Sequence, residues 1–271
     1  MPDQLPGFGR DVYEAGSPVV VVSPHLDDAV LSCGALLASL ARRCPVTIVT
    51  VFTAASPRPW SLPARRALRA AGVTDAEQFY ALRRAEDQAV VNELGAVPVH
   101  LGLRDALFRR FGDAGGRRPR WARWPVYPTF RFDAAVGRVA AADTTLAADL
   151  SARLDGIVRA GEAGEAGLVL APLGVGRHVD HVITRSAARR LRSRVVYYSD
   201  FPYSQTQAPD QAFVRRASLT PRTWLAGRAE NARLIAGYRT QFTGLFPDGT
   251  VPLRPEVYWD VMAASRSAAT M

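Results

Sequence analysis

The sequence contains no lysine, only two cysteines and no long apolar run. Two thiols, Cys33 and Cys44, are too few for a disulfide framework in 271 residues, so we expect two small buried side chains. No apolar stretch reaches the roughly 18–20 residues that cross a bilayer. The first residues also lack the basic and apolar segments of a secretory signal. These absences predict a cytoplasmic protein without a membrane partner.

All 34 basic side chains are arginine, and the formal net charge is +9. A strong positive charge can indicate nucleic-acid binding, but arginine without lysine in an Ala- and Gly-rich chain is typical of GC-rich coding. Most arginines occur in scattered pairs, which predict solvated helix faces, so we expect no nucleic-acid partner. The one dense basic cluster lies in a predicted surface loop and comprises Arg117, Arg118, Arg120 and Arg123, interleaved with Trp121 and Trp124.

Short apolar runs alternate with helical patterns along most of the chain. Residues 18–23 (PVVVVS) and 45–53 are continuous β-branched runs of the kind found in buried parallel strands, and residues 28–43 between them have helical spacing. Residues 54–75 are Pro- and Arg-rich and are predicted to be irregular. Further strands are predicted at 96–103, 168–173 and 194–199, with helices at 76–94, at 143–160, up to about 192 and within 222–242.

This alternation predicts an α/β fold, a doubly wound, Rossmann-like three-layer sandwich with a mostly parallel sheet. We expect a single domain over residues 1–271, with a core at about 18–203 and a C-terminal extension at 200–271 that packs on it. The glycine-rich fingerprints of dinucleotide and phosphate-loop sites are missing. The first strand instead leads into a polar turn.

Two short polar clusters follow predicted strands and contain three of the four histidines. The first is PHLDD at 24–28 and the second is RHVDH at 177–181. Because the carboxyl ends of parallel strands meet at one edge of a sheet, we expect the two clusters to lie close together. Taken alone, an Asp-Asp pair at a helix start is most often only a cap, but that interpretation leaves the paired clusters unexplained.

The composition of the clusters indicates metal-assisted hydrolysis. Catalytic zinc sites use about three protein ligands and leave a position for water. A set formed by His25, Asp28 and His181 would leave Asp27 and His178 unligated beside the metal. A carboxylate to take the proton of water and an imidazole to serve the oxyanion or the leaving group are what this chemistry requires.

The motif pair PHLDDAVLSCG and GRHVDH resembles the signature of the LmbE-like, or GlcNAc-phosphatidylinositol de-N-acetylase (PIG-L), zinc hydrolases, over about residues 18–203. The resemblance implies the LmbE-like fold and a zinc-dependent N-deacetylase. Its substrate would be a small molecule that contains an N-acetylated amino sugar. It implies one Zn²⁺ per chain, with other divalent metals left open, held by His25, Asp28 and His181.

The resemblance also implies roles for the remaining polar residues. Asp27 would be the general base, and a protonated His178 would hold the oxyanion, with Asp180 orienting it. The substrate contacts that it implies are Arg83, Arg84 and Asp105.

Several alternatives stay open. The substrate would belong to bacterial secondary, thiol or antibiotic metabolism, and a homo-oligomer is compatible with the sequence. The same ligands could serve a metal-dependent hydrolase of another bond, such as a phosphoester, or a non-catalytic sugar-binding or ligand-binding member of the fold. The insertion at 104–133 and the long C-terminal tail differ from compact family members and are interpreted as specificity elements for a larger or aromatic-containing acceptor.

Overall fold

The computed structural model of the protein describes residues 5–111, 124–160 and 164–261. The basic cluster at Arg117, Arg118, Arg120 and Arg123, together with Trp121, lies outside the described residues. Trp124, at the edge of that segment, is largely exposed. Cys33 and Cys44 are buried and unbridged, as predicted.

Seven strands and nine α-helices are found within the described ranges. The strands are β1 (Val19–Ser23), β2 (Val46–Ala54), β3 (Val97–Arg104), β4 (Leu168–Pro172), β5 (Val195–Tyr198), β6 (Leu219–Trp224) and β7 (Glu256–Val261). The helices are α1 (Gly7–Ala15), α2 (Asp28–Leu40), α3 (Leu62–Ala70), α4 (Ala76–Leu94), α5 (Leu146–Ala160), α6 (Val179–Ala188), α7 (Gln211–Arg216), α8 (Arg228–Ile235) and α9 (Arg239–Leu245). Within this part of the chain, no helix combines the length and the apolar character that crossing a bilayer requires.

The strands form one sheet with the order β3-β2-β1-β4-β5-β7-β6. The first five strands in this order are parallel, and β7 pairs antiparallel with both β5 and β6. This architecture confirms the predicted α/β class with a mostly parallel sheet.

Strand β1 lies in the centre of the sheet and is buried over its whole length. Val19 and Val21 belong to the apolar cluster on one face, with residues of α1, α2 and α8. Val20 and Val22 belong to the cluster on the other face, with residues of α5 and α6. Burial on both faces explains why the strand is a continuous run of valine rather than an alternation of apolar and polar residues.

Two segments differ from the sequence-based expectation. Residues 62–70, predicted to be irregular, form α3, because Ser61 Oγ accepts a hydrogen bond from the Ala64 N–H and Pro63 suits the first turn of a helix. The predicted helix at 222–242 begins as the end of β6. The helical part is α8, which starts after Gly227, where a positive φ of +72° changes the direction of the chain.

The C-terminal strand β7 is tied to α2, the helix that begins beside the first polar cluster. The Glu256 carboxylate accepts hydrogen bonds from the backbone N–H groups of Ala35 (2.7 Å) and Leu36 (3.0 Å). The Tyr258 hydroxyl donates to the same carboxylate at 2.7 Å. The last described strand therefore braces the element that carries the candidate site.

Candidate active site

The first polar cluster is a tight turn between β1 and α2. Ser23 Oγ donates to the His25 carbonyl oxygen at 2.7 Å and accepts from the Ala29 N–H at 3.0 Å. Asp28 Oδ2 accepts from the His25 backbone N–H at 2.9 Å and lies 3.1 Å from His25 Nδ1. Asp27 precedes the helix, yet its side chain makes no capping hydrogen bond to the described helix. Capping therefore does not explain the Asp27–Asp28 pair.

The second polar cluster follows β4 through a loop with unusual backbone angles. Gly176 has a φ of +85°, and a Cβ there would come within 2.6 Å of the Tyr203 ring, so the loop requires glycine. Arg177 is a non-glycine residue with a φ of +58°, a conformation that is often found beside functional sites. His178 then begins α6, and its Nδ1 accepts from the Asp180 N–H at 3.3 Å.

The fold brings the two clusters together at the carboxyl ends of β1 and β4. One ring nitrogen from each of His25, His178 and His181 lies within 4.8 Å of the other two. His181 Nε2 lies 3.3 Å from Asp28 Oδ2. Residues separated by about 150 positions in the sequence thus surround one small volume.

The imidazoles of His25 and His181 are placed alike: one ring nitrogen lies beside Asp28, and the other contacts a second carboxylate. His25 Nε2 is 3.2 Å from Asp180 Oδ2, and its Nδ1 is beside Asp28. His181 Nδ1 is 2.6 Å from Asp200 Oδ1, and its Nε2 is beside Asp28. Histidines that bind metals are usually oriented by such a carboxylate on the distal nitrogen.

The buried His181 Nε2 atom provides a test of whether the donor set fits a cation. Despite its 3.3 Å distance from Asp28 Oδ2, it makes no hydrogen bond to any described residue. A contact without hydrogen-bond geometry leaves this buried nitrogen poorly satisfied, which is costly, and a cation between the imidazole and the carboxylate would satisfy it. The residues present therefore fit a divalent metal.

A second set of candidate ligands lies on the other side of His25 and comprises His25, Asp105 and Asp180. The carboxylates of this set already have partners. Asp180 accepts from Arg109 Nη2 at 2.5 Å and from the Ala106 N–H at 2.9 Å. Asp105 accepts from the Tyr80 hydroxyl at 2.7 Å and lies 3.7 Å from His25 Nε2. Both oxygens of Asp180 are engaged in this way, whereas the hydrogen bonds between His25 and Asp28 involve only Oδ2 of Asp28, so the side with Asp28 is the better cation site.

The pKa values of the two paired imidazoles reflect a strongly negative environment. Burial alone would lower the pKa of His181, but the Asp28 charge and the hydrogen bond to Asp200 raise it to about 10. Burial also opposes protonation of His25, yet Asp105, Asp180 and Asp28 raise its pKa well above the usual value. Such an environment stabilises any positive charge, including that of a metal ion.

His178 differs from the expectation that it is protonated. Burial lowers its pKa to about 4, so the imidazole is neutral near pH 7. Because Nδ1 accepts from the backbone N–H of Asp180, the remaining proton lies on Nε2, where it can be donated. The orientation predicted from Asp180 thus comes from its backbone, while its carboxylate contacts Arg109 and His25.

Asp27 is buried beside the proposed ligands and has a pKa that suits a general base. Burial raises the pKa of Asp27 to about 6, although the charge of Arg83 opposes the shift. Arg83 Nη2 lies 3.4 Å from Asp27 Oδ2, and the guanidinium packs over Phe79 and Tyr80. Arg83 therefore contacts the predicted base, and the substrate contact that the resemblance implies for it stays a prediction.

The other two predicted substrate contacts lie in different places. Asp105 is at the site, near His25, but its carboxylate is held by Tyr80. Arg84 points away, since its guanidinium donates to the Thr53 carbonyl oxygen at 2.9 Å and pairs with Glu77 at 2.7 Å. His100, the histidine outside the two polar clusters, pairs with Asp87 at 2.7 Å.

Sequence reasoning missed Asp200 and Arg109. Asp200 follows the end of β5 almost directly. A polar residue after a predicted strand is the signal that identified the two polar clusters, so the same signal could have identified Asp200. Arg109 belongs to an arginine pair that was interpreted as a solvated helix face. It is nevertheless buried, pairs with Asp143 at 2.6 Å and Asp180 at 2.5 Å, and lies over the Phe52 ring. No local sequence pattern predicts these contacts of Arg109.

Comparisons with known proteins identify relatives of this chain. A curated relative, 2'-N-acetylparomamine deacetylase from Streptomyces fradiae, is 32% identical over 191 residues, which are 68% of this chain and 57% of that enzyme. The chain thus spans little more than half the length of that relative.

Solved structures share the fold. The zinc-inhibited form of teicoplanin deacetylase matches with a TM-score of 0.71 and 23% identity, over 93% of this chain and all of that one. The A40926 pseudoaglycone deacetylase matches with a TM-score of 0.62 and 25% identity, over 90% of this chain and 96% of that one. The family described as GlcNAc-PI de-N-acetylase matches residues 20–191, which include both polar clusters. The chain belongs to the GlcNAc-PI de-N-acetylase (PIG-L) family.

Proposed function

We propose that the protein is a metal-dependent N-deacetylase that hydrolyses the N-acyl amide of an amino-sugar-containing small molecule, in bacterial antibiotic or related secondary metabolism. The observation that carries this proposal is the convergence of two carboxylate-supported imidazoles on Asp28, with the Asp27 carboxylate unligated beside them. Family membership and the relative named as a deacetylase of 2'-N-acetylparomamine support the reaction class.

The metal ligands in this proposal are His25 Nδ1, the Asp28 carboxylate and His181 Nε2. Two imidazoles and one carboxylate form a set that suits catalytic Zn²⁺ and leaves room for water and substrate. When bound, the cation polarises the amide carbonyl and acidifies water. Asp200 and Asp180 orient the two imidazoles through their distal nitrogens.

The chain's own residues carry the proton transfers. Asp27, with a pKa near 6, is ionised at neutral pH and takes a proton from the attacking water. The Nε2–H of neutral His178 donates a hydrogen bond to the amide oxygen as negative charge develops there. Because His178 is already neutral and Asp27 has become a carboxylic acid, Asp27 delivers the proton to the departing amine. The products are an acetate ion and the amino sugar with its amine protonated, so both protons of the water are accounted for.

An acetate-release assay on the metal-loaded chain tests this function. N-acetylglucosamine, its glycosides and 2'-N-acetylparomamine would be supplied, and acetate and free amine would be measured together. We expect equal amounts of both products, loss of activity with a chelator, and recovery with zinc. The proposal would be contradicted if protein that holds one metal ion released no more acetate than the Asp27→Asn variant with each of these substrates.

A further inference from the structure

Phe130 lies beside the catalytic imidazole without being required by the mechanism. Its ring centroid is 5.8 Å from that of His178. It begins a short π-helix, Phe130–Ala134, in the segment between β3 and α5. The side chain is 38% exposed, so a substantial part of the ring faces solvent next to a buried catalytic residue.

The backbone around Phe130 is fixed by a local network of hydrogen bonds. Asp133 Oδ2 accepts from both the backbone N–H (2.7 Å) and the hydroxyl (2.6 Å) of Thr129. Thr129 Oγ1 accepts from the Phe132 N–H at 3.3 Å. Short π-helical turns occur frequently at functional sites. The ring is thus presented on an ordered turn, which lowers the entropy cost of binding a partner to it.

Exposed aromatic side chains are concentrated in this segment. Among the described residues, ten large hydrophobic side chains are exposed. The aromatic ones all lie in the segment between β3 and α5, and they are Phe111, Trp124, Phe130 and Phe132. The other six are leucine and valine residues spread over the rest of the chain. Exposed apolar groups concentrated in one segment are typical of binding surfaces, and Phe130 links this segment to the candidate active site through its contact with His178.

We propose that Phe130 is a specificity-determining residue that binds an aromatic group attached to the amino sugar, so that the preferred substrates are N-acyl amino-sugar glycosides with an aromatic aglycone. This inference rests on the proposed function, because it places the amide beside His178. An aromatic ring next to the reacting amide stacks against Phe130 and displaces water from both faces. A free, fully hydroxylated amino sugar presents no such group.

A pair of substrates and a pair of variants test the inference. The substrates are N-acetylglucosamine and its phenyl glycoside, and acetate release gives KM and kcat for each. We expect the metal-loaded wild type to have a KM for the phenyl glycoside that is about tenfold lower, the size of one aromatic contact plus its burial. Phe130→Ala removes this difference by raising the KM of the phenyl glycoside, and kcat changes little.

Phe132→Ala is the matched control, because Phe132 lies on the same turn, is 77% exposed, and is not among the rings packed on His178. It is expected to keep the preference for the phenyl glycoside, and Phe130→Tyr is expected to keep it as well. Equal KM values for the two substrates in the wild type would overturn the inference. So would an equal loss in Phe132→Ala, or a rise in KM for both substrates in Phe130→Ala, which would place the ring against the sugar itself.

A calorimetric titration keeps the inference separate from the reaction. The two sugars are titrated into the Asp27→Asn protein loaded with zinc, and their dissociation constants are compared with those of Asp27→Asn combined with Phe130→Ala. Tighter binding of the phenyl glycoside that depends on Phe130 supports the inference even if no acetate is released by the wild type. Indifference to Phe130 contradicts the inference, whereas absence of acetate contradicts only the proposed function.

Discussion

The two imidazoles assigned to the metal are supported by carboxylates in different ways. His181 and Asp200 are both fully buried, with 2.6 Å between Nδ1 and Oδ1, and the second oxygen of Asp200 accepts from the Val175 N–H. His25 is partly exposed and lies 3.2 Å from Asp180. Asp180 also pairs with Arg109, so its charge is shared between two partners.

Because of this difference, we expect the two carboxylates to have separate roles. Asp200 serves metal binding, and Asp180 serves to hold the segment between β3 and α5. Burial alone would raise the pKa of Asp180, but the charge of Arg109 and the hydrogen bond to His25 hold it well below its usual value. A carboxylate whose charge is balanced by a guanidinium attracts the imidazole N–H less strongly. We therefore infer that Asp200 mainly orients a ligand, whereas Asp180 mainly holds Arg109, and through Arg109 also Asp143.

The largest effect is expected from removing the imidazoles themselves. His25→Ala and His181→Ala should lose stoichiometric metal, because each removes one of three ligands. His178→Ala should keep the metal, while turnover falls by about 10²–10³ through loss of an oxyanion donor. Metal analysis of the purified variants, with acetate release, distinguishes these results. Stoichiometric zinc in both His25→Ala and His181→Ala would refute the ligand assignment.

The adjacent carboxylates offer a second contrast between base and ligand. Asp27→Asn should lower turnover by about 10²–10⁴, the usual contribution of a general base, with the metal retained. Asp28→Asn should lose metal affinity, because its carboxylate lies between His25 and His181. Equilibrium dialysis with zinc measures the second effect, and single-turnover acetate release measures the first. Similar metal loss in both variants would mean that Asp27 is a ligand.

Substitution of the two supporting carboxylates tests most specifically whether Asp200 and Asp180 have different roles. Asp200→Asn should weaken zinc binding about 10–100-fold, the usual cost of losing a carboxylate behind a ligand. Asp180→Asn should instead lower the free energy of unfolding by about 3–5 kcal/mol, because it removes one of the two carboxylates that balance the buried charge of Arg109. Chelator competition and denaturant unfolding of the metal-free proteins measure the two quantities. Equal effects of both variants would contradict the distinction.

The smallest expected effect is that of Tyr127→Phe. The Tyr127 hydroxyl donates to Asp143 at 2.8 Å and accepts from the Ala140 N–H at 3.1 Å. Its loss should cost about 1 kcal/mol of stability, the net value of one hydrogen bond. Zinc affinity should stay unchanged, since the Arg109–Asp180 pair remains. Weaker zinc binding in this variant would show that the segment and the metal centre are more tightly coupled than the structure indicates.

The elements that the sequence predicted well are those governed by local patterns. Strand β1 was predicted from a continuous run of valine and helix α4 from helical spacing over residues 76–94, and both form as expected. In the structure, Asp75 caps α4 and Gly95 ends it. Helix α3 was missed because its capping serine and first-turn proline were outweighed by the Pro- and Arg-rich surroundings. Strand β6 was missed because its role depends on pairing with β7, which is distant in sequence.

The candidate site shows the same division between local and distant information. The positions of His25, Asp28 and His181 follow from two motifs and from the rule that parallel strands end at one edge. The partners of these side chains depend on tertiary contacts. The neutral state of His178 comes from burial, which no motif records, and the contact of Arg83 with Asp27 joins residues 56 positions apart.

Anomalous diffraction at the zinc absorption edge, from crystals of the zinc-loaded protein, tests the central assignment most directly. We expect one strong peak bonded to His25 Nδ1, the Asp28 carboxylate and His181 Nε2, with Asp27 beside it and unbonded. A principal peak on the opposite side of His25, between Asp105 and Asp180, would contradict this assignment.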